Sequence, residues 1–159
     1  MKQKLKLALV GAGERGQYCY APYAKMHGYE IEFVAVADPH KGRREKFVQD
    51  YHVPAEGVFE TAEQFFARPR MADAVLICTQ DSQHYAYACQ AIDLGYSILL
   101  EKPISPSVRE CLDLQRRAEE KGTQIMVCHV MRYTKFYRKL KELIDSGVIG
   151  DVVHVTHTE

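Results

Sequence analysis

Along the chain, short and nearly unbroken apolar runs alternate with longer stretches whose apolar residues recur at helical spacing. The runs are Leu7 to Val10, Glu32 to Ala37, Val58 to Phe59, Ala72 to Thr79, Ser97 to Leu100 and Gln124 to Cys128. An apolar run without regular polar alternation reads as a strand covered on both faces, the habit of parallel sheets flanked by helices. The predicted helices fall between the runs. The first spans about Glu14 to His27 and closes at Gly28, with Pro22 inside it to kink or split it. The second runs from about His40 to Tyr51 and buries Phe47 and Tyr51. Thr61 and Gln64 form a capping box for a brief helix bearing Phe65 and Phe66. Asp81 or Ser82 caps the next, whose Tyr85, Ala88, Cys89 and Ile92 share a face before Gly95 ends it. Ser105 and Pro106 open the fifth, which ends near Gly122.

Six strands alternating with helices call for an α/β fold, a doubly wound parallel sheet in the order 3-2-1-4-5-6. Beyond the sixth strand the pattern changes. Phe136, Leu140, Leu143 and Ile144 make an apolar helical stripe that stops at Gly147, and the final DVVHVTHTE is rich in β-branched residues and predicts a strand. A closing strand without a partner is an exposed edge. Residues 1–130 therefore read as one domain, and residues 131–159 as a crossover helix and the first strand of a second α/β domain that is otherwise missing.

The junction of the first strand and first helix carries the leading chemistry. Gly11, Gly13 and Gly16 follow the first apolar run directly. At this spacing the first glycine reverses the chain, the second lets bare backbone approach a pyrophosphate, and the third lets helix and strand pack closely. Amides at the start of the helix then face the phosphates. The second strand ends in Asp38, 22 residues after Gly16, where a carboxylate accepts the hydroxyls of an adenosine ribose and repels a 2′-phosphate. NAD is favoured on this ground. NADP stays as a second cofactor, because Lys41, Arg43 and Arg44 follow closely. The competing reading of Asp38-Pro39 is a turn that caps the next helix.

Composition narrows the classes. A chain of 159 residues that is 47% apolar can bury a substantial core. Lysine plus arginine equal aspartate plus glutamate at 21 each, which implies no broad attraction to nucleic acid or an anionic membrane. Five cysteines without C-x-x-C pairing fit a reducing compartment, taken as cytoplasmic. Lys2 and Lys4 precede an apolar run too short for a signal peptide, and no stretch has the length of a membrane span.

A further motif, EKP at Glu101 to Pro103, follows the fifth strand directly, at the sheet edge where such folds bind ligands. Together with GAGERG, AVADP, CTQDSQH at 78–84 and VMRYTKFYRKLKELIDSGVIGDV at 130–152, it resembles the N-terminal Rossmann domain of the glucose-fructose oxidoreductase/inositol dehydrogenase (Gfo/Idh/MocA) family across essentially the whole chain. The resemblance implies an NAD(P)-dependent oxidoreductase acting on a sugar, polyol or related carbinol, homo-oligomeric when full length. It implies that Gly11, Gly13 and Gly16, with Glu14 and Arg15, hold the pyrophosphate and that Asp38 holds the adenosine ribose. Thr79, Gln80 and His84 match the loop beneath the cofactor, although the family often has proline where this chain has Gln80. Glu101 and Lys102 match the pair beside the nicotinamide and its ribose, Arg132 matches an arginine near the mouth of the site, and Lys102-Pro103 matches a cis bond. Lys102 is the candidate catalytic residue: hydride leaving a carbinol carbon requires a neighbouring group to take the hydroxyl proton or to stabilise the oxyanion. The remaining catalytic residues of the family lie in its second domain, so this chain is expected to bind cofactor better than it turns over substrate.

Other residues carry less. His154 and His157, three apart on a predicted strand, point to opposite faces and share no metal. His129, beside a predicted buried strand, reads as a structural histidine, and the ten tyrosines as packing or pocket-lining groups. Two other functions stay open at this point: a non-catalytic dinucleotide-binding module, and an S-adenosylmethionine methyltransferase, which gives no reason for EKP.

Overall fold

A computed structural model describes residues 3–158; Lys2 and Glu159, which entered the reading above, lie outside them. The chain divides into two compact units, one ending at Cys128 and one beginning at His129. The first unit is built on six parallel strands: β1 (Leu5–Val10), β2 (Ile31–Ala37), β3 (Val58–Phe59), β4 (Ala74–Ile77), β5 (Ser97–Leu100) and β6 (Ile125–Val127). Their order is β3-β2-β1-β4-β5-β6, as expected. The direction of winding therefore reverses between β1 and β4, and the carboxyl ends of these two strands flank a crevice.

Alternation along β1 shows why both faces need helices. Leu7 and Leu9 enter one core with Phe33, Val36 and Phe47, while Ala8 and Val10 enter the other with Val75, Ile77 and Ile92. The first core is closed by α2 (Lys41–Tyr51), whose Phe47 ring meets Phe33 edge-on, with centroids 5.0 Å apart. The second is closed by α3 (Ala62–Phe66), α4 (His84–Asp93) and α5 (Val108–Lys121). With side chains leaving a strand alternately to each face, continuous apolar sequence is the physical requirement for burial on both sides.

Several ends differ from the expected ones. The first helix is split at Pro22, but its first part is a π-helix, Glu14–Tyr20, and only Pro22–Met26 (α1) is α-helical. Pro22 opens α1 at a position where its missing N–H costs nothing. Neither Asp81 nor Ser82 caps α4: a short 3-10 turn, Asp81–Gln83, precedes it, started by Gln80, whose N–H donates to Gln83 Oε1 at 3.3 Å. Ser107, not Ser105, caps α5 by accepting the Glu110 N–H at 3.4 Å. The Ser105 hydroxyl is taken up locally, donating to Glu110 and accepting the Ser107 N–H. In both cases neighbouring polar residues offer competing caps, and sequence spacing does not choose between them.

The second unit contains a 3-10 turn, Val130–Tyr133, and α6 (Lys135–Asp145), capped by the Thr134 hydroxyl, which accepts the Tyr137 N–H at 3.4 Å. Residues 152–158 are not a strand, which corrects the expected closing strand. β-branched residues supply propensity, but the ladder bonds must come from a neighbour, and none of the described residues pairs with this segment. His129, read above as a structural histidine, is exposed. Among the described residues no helix is long and apolar enough to cross a membrane, and no cluster of residues could hold a metal ion.

Candidate functional site

The glycine turn is the point of closest packing in the crevice. Gly11 has φ +94°, and a Cβ there would lie 2.5 Å from the Cys78 carbonyl oxygen, because the backbone leaving β4 passes directly over it. Gly16 is equally constrained from the other side: its Cβ would lie 2.4 Å from the Gly11 oxygen and 2.8 Å from a Leu9 methyl. Gly13 differs. Its Cβ would meet nothing nearer than the Arg43 guanidinium, 4.0 Å away, so its bare backbone faces open space. This division of work is the one by which a dinucleotide turn lets phosphate approach the main chain.

Asp38 joins this turn to β2. Its Oδ2 accepts the Ala12 N–H at 2.7 Å, and its Oδ1 accepts the His40 N–H at 2.8 Å. The two readings of Asp38 thus hold together: it starts the turn before α2, whose cap is His40, and it also fastens the glycine turn. The carboxylate is 3% exposed, and each oxygen keeps a second lone pair for a hydroxyl. Of the basic residues that follow, Arg44 is committed to the Asp38 carbonyl at 2.6 Å and to Glu60 at 3.3 Å, whereas Arg43 is exposed and reaches over Gly13.

A cavity of about 240 Å³ lies at this edge, lined in part by Gly11, Ala37, Pro39, Thr61 and Thr79. Among the described residues, the buried side-chain polar atoms without a partner are Gln17 Nε2 and Thr79 Oγ1. Both belong to segments flanking the glycine turn. Unsatisfied buried groups are rare and ask for an explanation, and for Thr79, which lines the cavity, a polar ligand there supplies one. The open Gly13 backbone and the Asp38 carboxylate complete a donor and acceptor set suited to a diphosphate joined to a ribose. An apolar groove of about 480 Å³ between α5 and β6 is larger but lacks this polar set.

On the other side of the switch point, the β5 loop brings Glu101 and Lys102 to the sheet edge. Glu101 is buried: its Oε1 accepts the Tyr20 hydroxyl, its Oε2 accepts the Lys102 N–H at 2.8 Å, and Arg15 Nε lies 3.9 Å away. Burial, together with hydrogen bonding to Cys128 and Glu101, drives the Tyr20 phenol well above its usual range, so it stays a proton donor. Burial likewise pushes the Cys78 thiol up, so it is not a nucleophile. The Lys102–Pro103 bond is cis, as the resemblance implies, and the Lys102 side chain is exposed. His84 is 1% exposed, with Nδ1 2.6 Å from the Pro103 carbonyl and Nε2 3.2 Å from the Thr79 carbonyl. Both partners are acceptors, so a neutral ring donates its single N–H to one of the two carbonyls, and both nitrogens face the loops after β4 and β5. Gln80, Glu14 and Arg15 are exposed, and Arg132 stands in the 3-10 turn of the second unit. Sequence reasoning missed Tyr20 and Ala12 as members of this network; no spacing rule pairs Tyr20 with a residue 81 positions away.

Residues 5–129 match the model of the GFO_IDH_MocA oxidoreductase family, NAD-binding Rossmann fold. The chain belongs to the Gfo/Idh/MocA family. Inositol 2-dehydrogenase of Pseudomonas savastanoi pv. phaseolicola is 31% identical over 157 residues, covering 96% of this chain and 46% of that protein. The scyllo-inositol 2-dehydrogenase (NAD(+)) of Bacillus subtilis is 29% identical over 156 residues, covering 97% and 44%. Among solved structures, the WlbA dehydrogenase of Chromobacterium violaceum in complex with NADH and UDP-GlcNAcA superposes with a TM-score of 0.83 at 19% identity, covering 94% of this chain and 42% of that one, a likeness of fold. The chain thus spans less than half the length of these Gfo/Idh/MocA relatives, and what it matches is the family's NAD-binding domain. Membership closes the methyltransferase alternative.

Proposed function

We propose that this chain is the cofactor-binding part of an NAD(P)-dependent oxidoreductase that moves a hydride between a nicotinamide and a sugar, polyol or related carbinol. The observation that carries the proposal is the Asp38–Ala12 bond. It makes the two halves of the dinucleotide fingerprint one physical object at the reversal of the sheet. Bound there, the cofactor supplies a hydride acceptor at its nicotinamide ring. The turn at Gly11, Gly13 and Gly16, with Glu14 and Arg15, faces the diphosphate, and Asp38 faces the adenosine ribose. Thr79 and Gln80 form the floor of the crevice, while His84 supports that floor from below. Glu101 and Lys102 stand on the nicotinamide side. Lys102 takes the proton of the substrate hydroxyl as the carbinol is oxidised and returns it in the reverse direction. Residues 131–159 are the crossover helix and opening segment of a substrate domain, through which the full-length protein also self-associates.

The sugar or polyol class is supported by the named activities of the inositol dehydrogenases, together with a site whose own residues provide binding and one proton-exchanging group. Titration calorimetry of the chain with NADH tests the binding reading; absence of heat with either nicotinamide dinucleotide refutes it. Lys102→Ala in the polypeptide that includes the substrate domain tests the catalytic one. Turnover falls by about a hundredfold or more, the usual worth of a general base, while NADH affinity stays within about threefold. A non-catalytic module would keep its function in that variant.

A further inference from the structure

The segment after the glycine turn is wound as a π-helix, and this winding has a consequence at Glu101. In an α-helix of 3.6 residues per turn, side chains five positions apart end roughly 140° from one another. Arg15 and Tyr20 would then diverge. The i to i+5 register, closed by the Ala21 N–H on the Gly16 carbonyl at 3.0 Å, brings residues five apart back to nearly the same side. Both side chains meet the same atom: Tyr20 donates its hydroxyl to Glu101 Oε1, and Arg15 Nε lies 3.9 Å from that oxygen. The other oxygen of the same carboxylate holds the Lys102 N–H at 2.8 Å. Glu101 is 6% exposed, so few solvent molecules reach it to replace a lost donor.

We propose that Tyr20 is a positioning residue that seats the Glu101 carboxylate, and through it the Lys102 backbone, thereby linking the glycine-turn segment to the nicotinamide side of the site. This rests on the dinucleotide reading above. The linkage is one of geometry: the helix that starts at the diphosphate end also sets the acceptor that fixes the catalytic segment. Arg15 reinforces the contact as a partly exposed charge, and Tyr20 is the fixed donor.

Two ligands separate the halves of the site in the unaltered 159-residue chain. ADP ends at the diphosphate, short of the nicotinamide and its ribose, whereas NADH extends to both. Tyr20→Phe keeps the ring and removes only the hydroxyl. It is expected to weaken NADH by about tenfold, the scale of one hydrogen bond to a charged acceptor, and to shift the emission of the bound nicotinamide. ADP affinity should stay within about twofold, since that ligand ends at the diphosphate and does not reach Glu101. Glu101→Gln, which keeps the shape but offers one acceptor oxygen, should weaken NADH in the same selective way, and the double variant should be little worse than either single one. Circular dichroism spectra and urea midpoints of the variants confirm folding. An equal loss for both ligands, no change for NADH, or tighter NADH binding overturns the proposal. If the unaltered chain binds neither ligand, the dinucleotide reading itself fails, and this inference falls with it.

Discussion

Gly13→Ala and Gly16→Ala, three residues apart, are expected to fail in opposite ways. At Gly16 the new methyl would sit 2.4 Å from the Gly11 oxygen and 2.8 Å from Leu9, against backbone and core that cannot retreat independently. Overpacking of this kind costs about 1–3 kcal/mol. With roughly 2–4 °C of melting temperature per kcal/mol in a domain of this size, Gly16→Ala should melt about 2–12 °C lower. At Gly13 the backbone is extended, with φ −80° and ψ −162°, and no protein atom is nearer to the added methyl than 4.0 Å. Alanine there should leave stability unchanged or raise it by about 0.4–1 kcal/mol through the unfolded chain. The same methyl occupies the space through which a phosphate must approach the main chain, so NADH affinity should fall by about tenfold or more, a penalty of roughly 1.4 kcal/mol. Urea unfolding and calorimetric titration of each variant measure the two effects. The assignment of the glycine turn is refuted if Gly13→Ala binds NADH as well as the unaltered chain does, or if Gly16→Ala is undiminished in stability.

Arg43→Ala should lower NADP affinity about tenfold while changing NAD affinity by no more than about threefold, since a guanidinium is worth most against a doubly charged phosphate; paired titrations decide it. Phe47→Ala empties a fully buried ring position in the α2 core and should cost about 3–5 kcal/mol, read from urea midpoints. Asp113 receives the Tyr85 hydroxyl at 2.7 Å; that bond, then those from Arg116 and Arg117, holds its carboxyl below the usual range, and the same contact leads the rise of the Tyr85 phenol to about 12. A lowered carboxyl contributes stability that is intact above about pH 4 and lost as pH falls. A raised phenol contributes stability that is intact below about pH 10 and lost as pH rises towards about 12. The urea-midpoint difference between Tyr85→Phe and the unaltered chain should therefore be level from about pH 5 to 9 and shrink on both sides; a difference that keeps growing in acid would contradict the Tyr85–Asp113 assignment.

The order of the sheet was legible because the central strands β1, β2 and β4 are largely buried on both faces, where a run such as AVLI belongs, although the edge strand β6, with Met126 57% exposed, is not. The glycine turn and Asp38 were legible because their chemistry is local and their spacing is set by one strand, one helix and one more strand. What stayed hidden was contact between distant segments. Tyr20 looked like one tyrosine among ten, and only the π winding, which no residue in ERGQYCY announces, turns it towards Glu101. His84 stood in the right motif, yet its placement between two carbonyls depends on where the β5 loop passes. The end of the chain was misread because β-branched content measures willingness to pair, and pairing itself is a property of two segments.

The doubly committed carboxylate of Asp38 bears on attempts to change coenzyme preference. The usual first move, exchanging the acid at the end of β2 for a small neutral residue, would here also cut loose the amides of Ala12 and His40. The buried Ala12 donor left unpaired costs about 1–3 kcal/mol, while the exposed His40 amide can turn to water, so selectivity and integrity are wired to a single side chain. A workable redesign would leave that acid in place and recruit affinity for the extra phosphate from Arg43 and the exposed first turn of α2, trading discrimination for tolerance of both coenzymes.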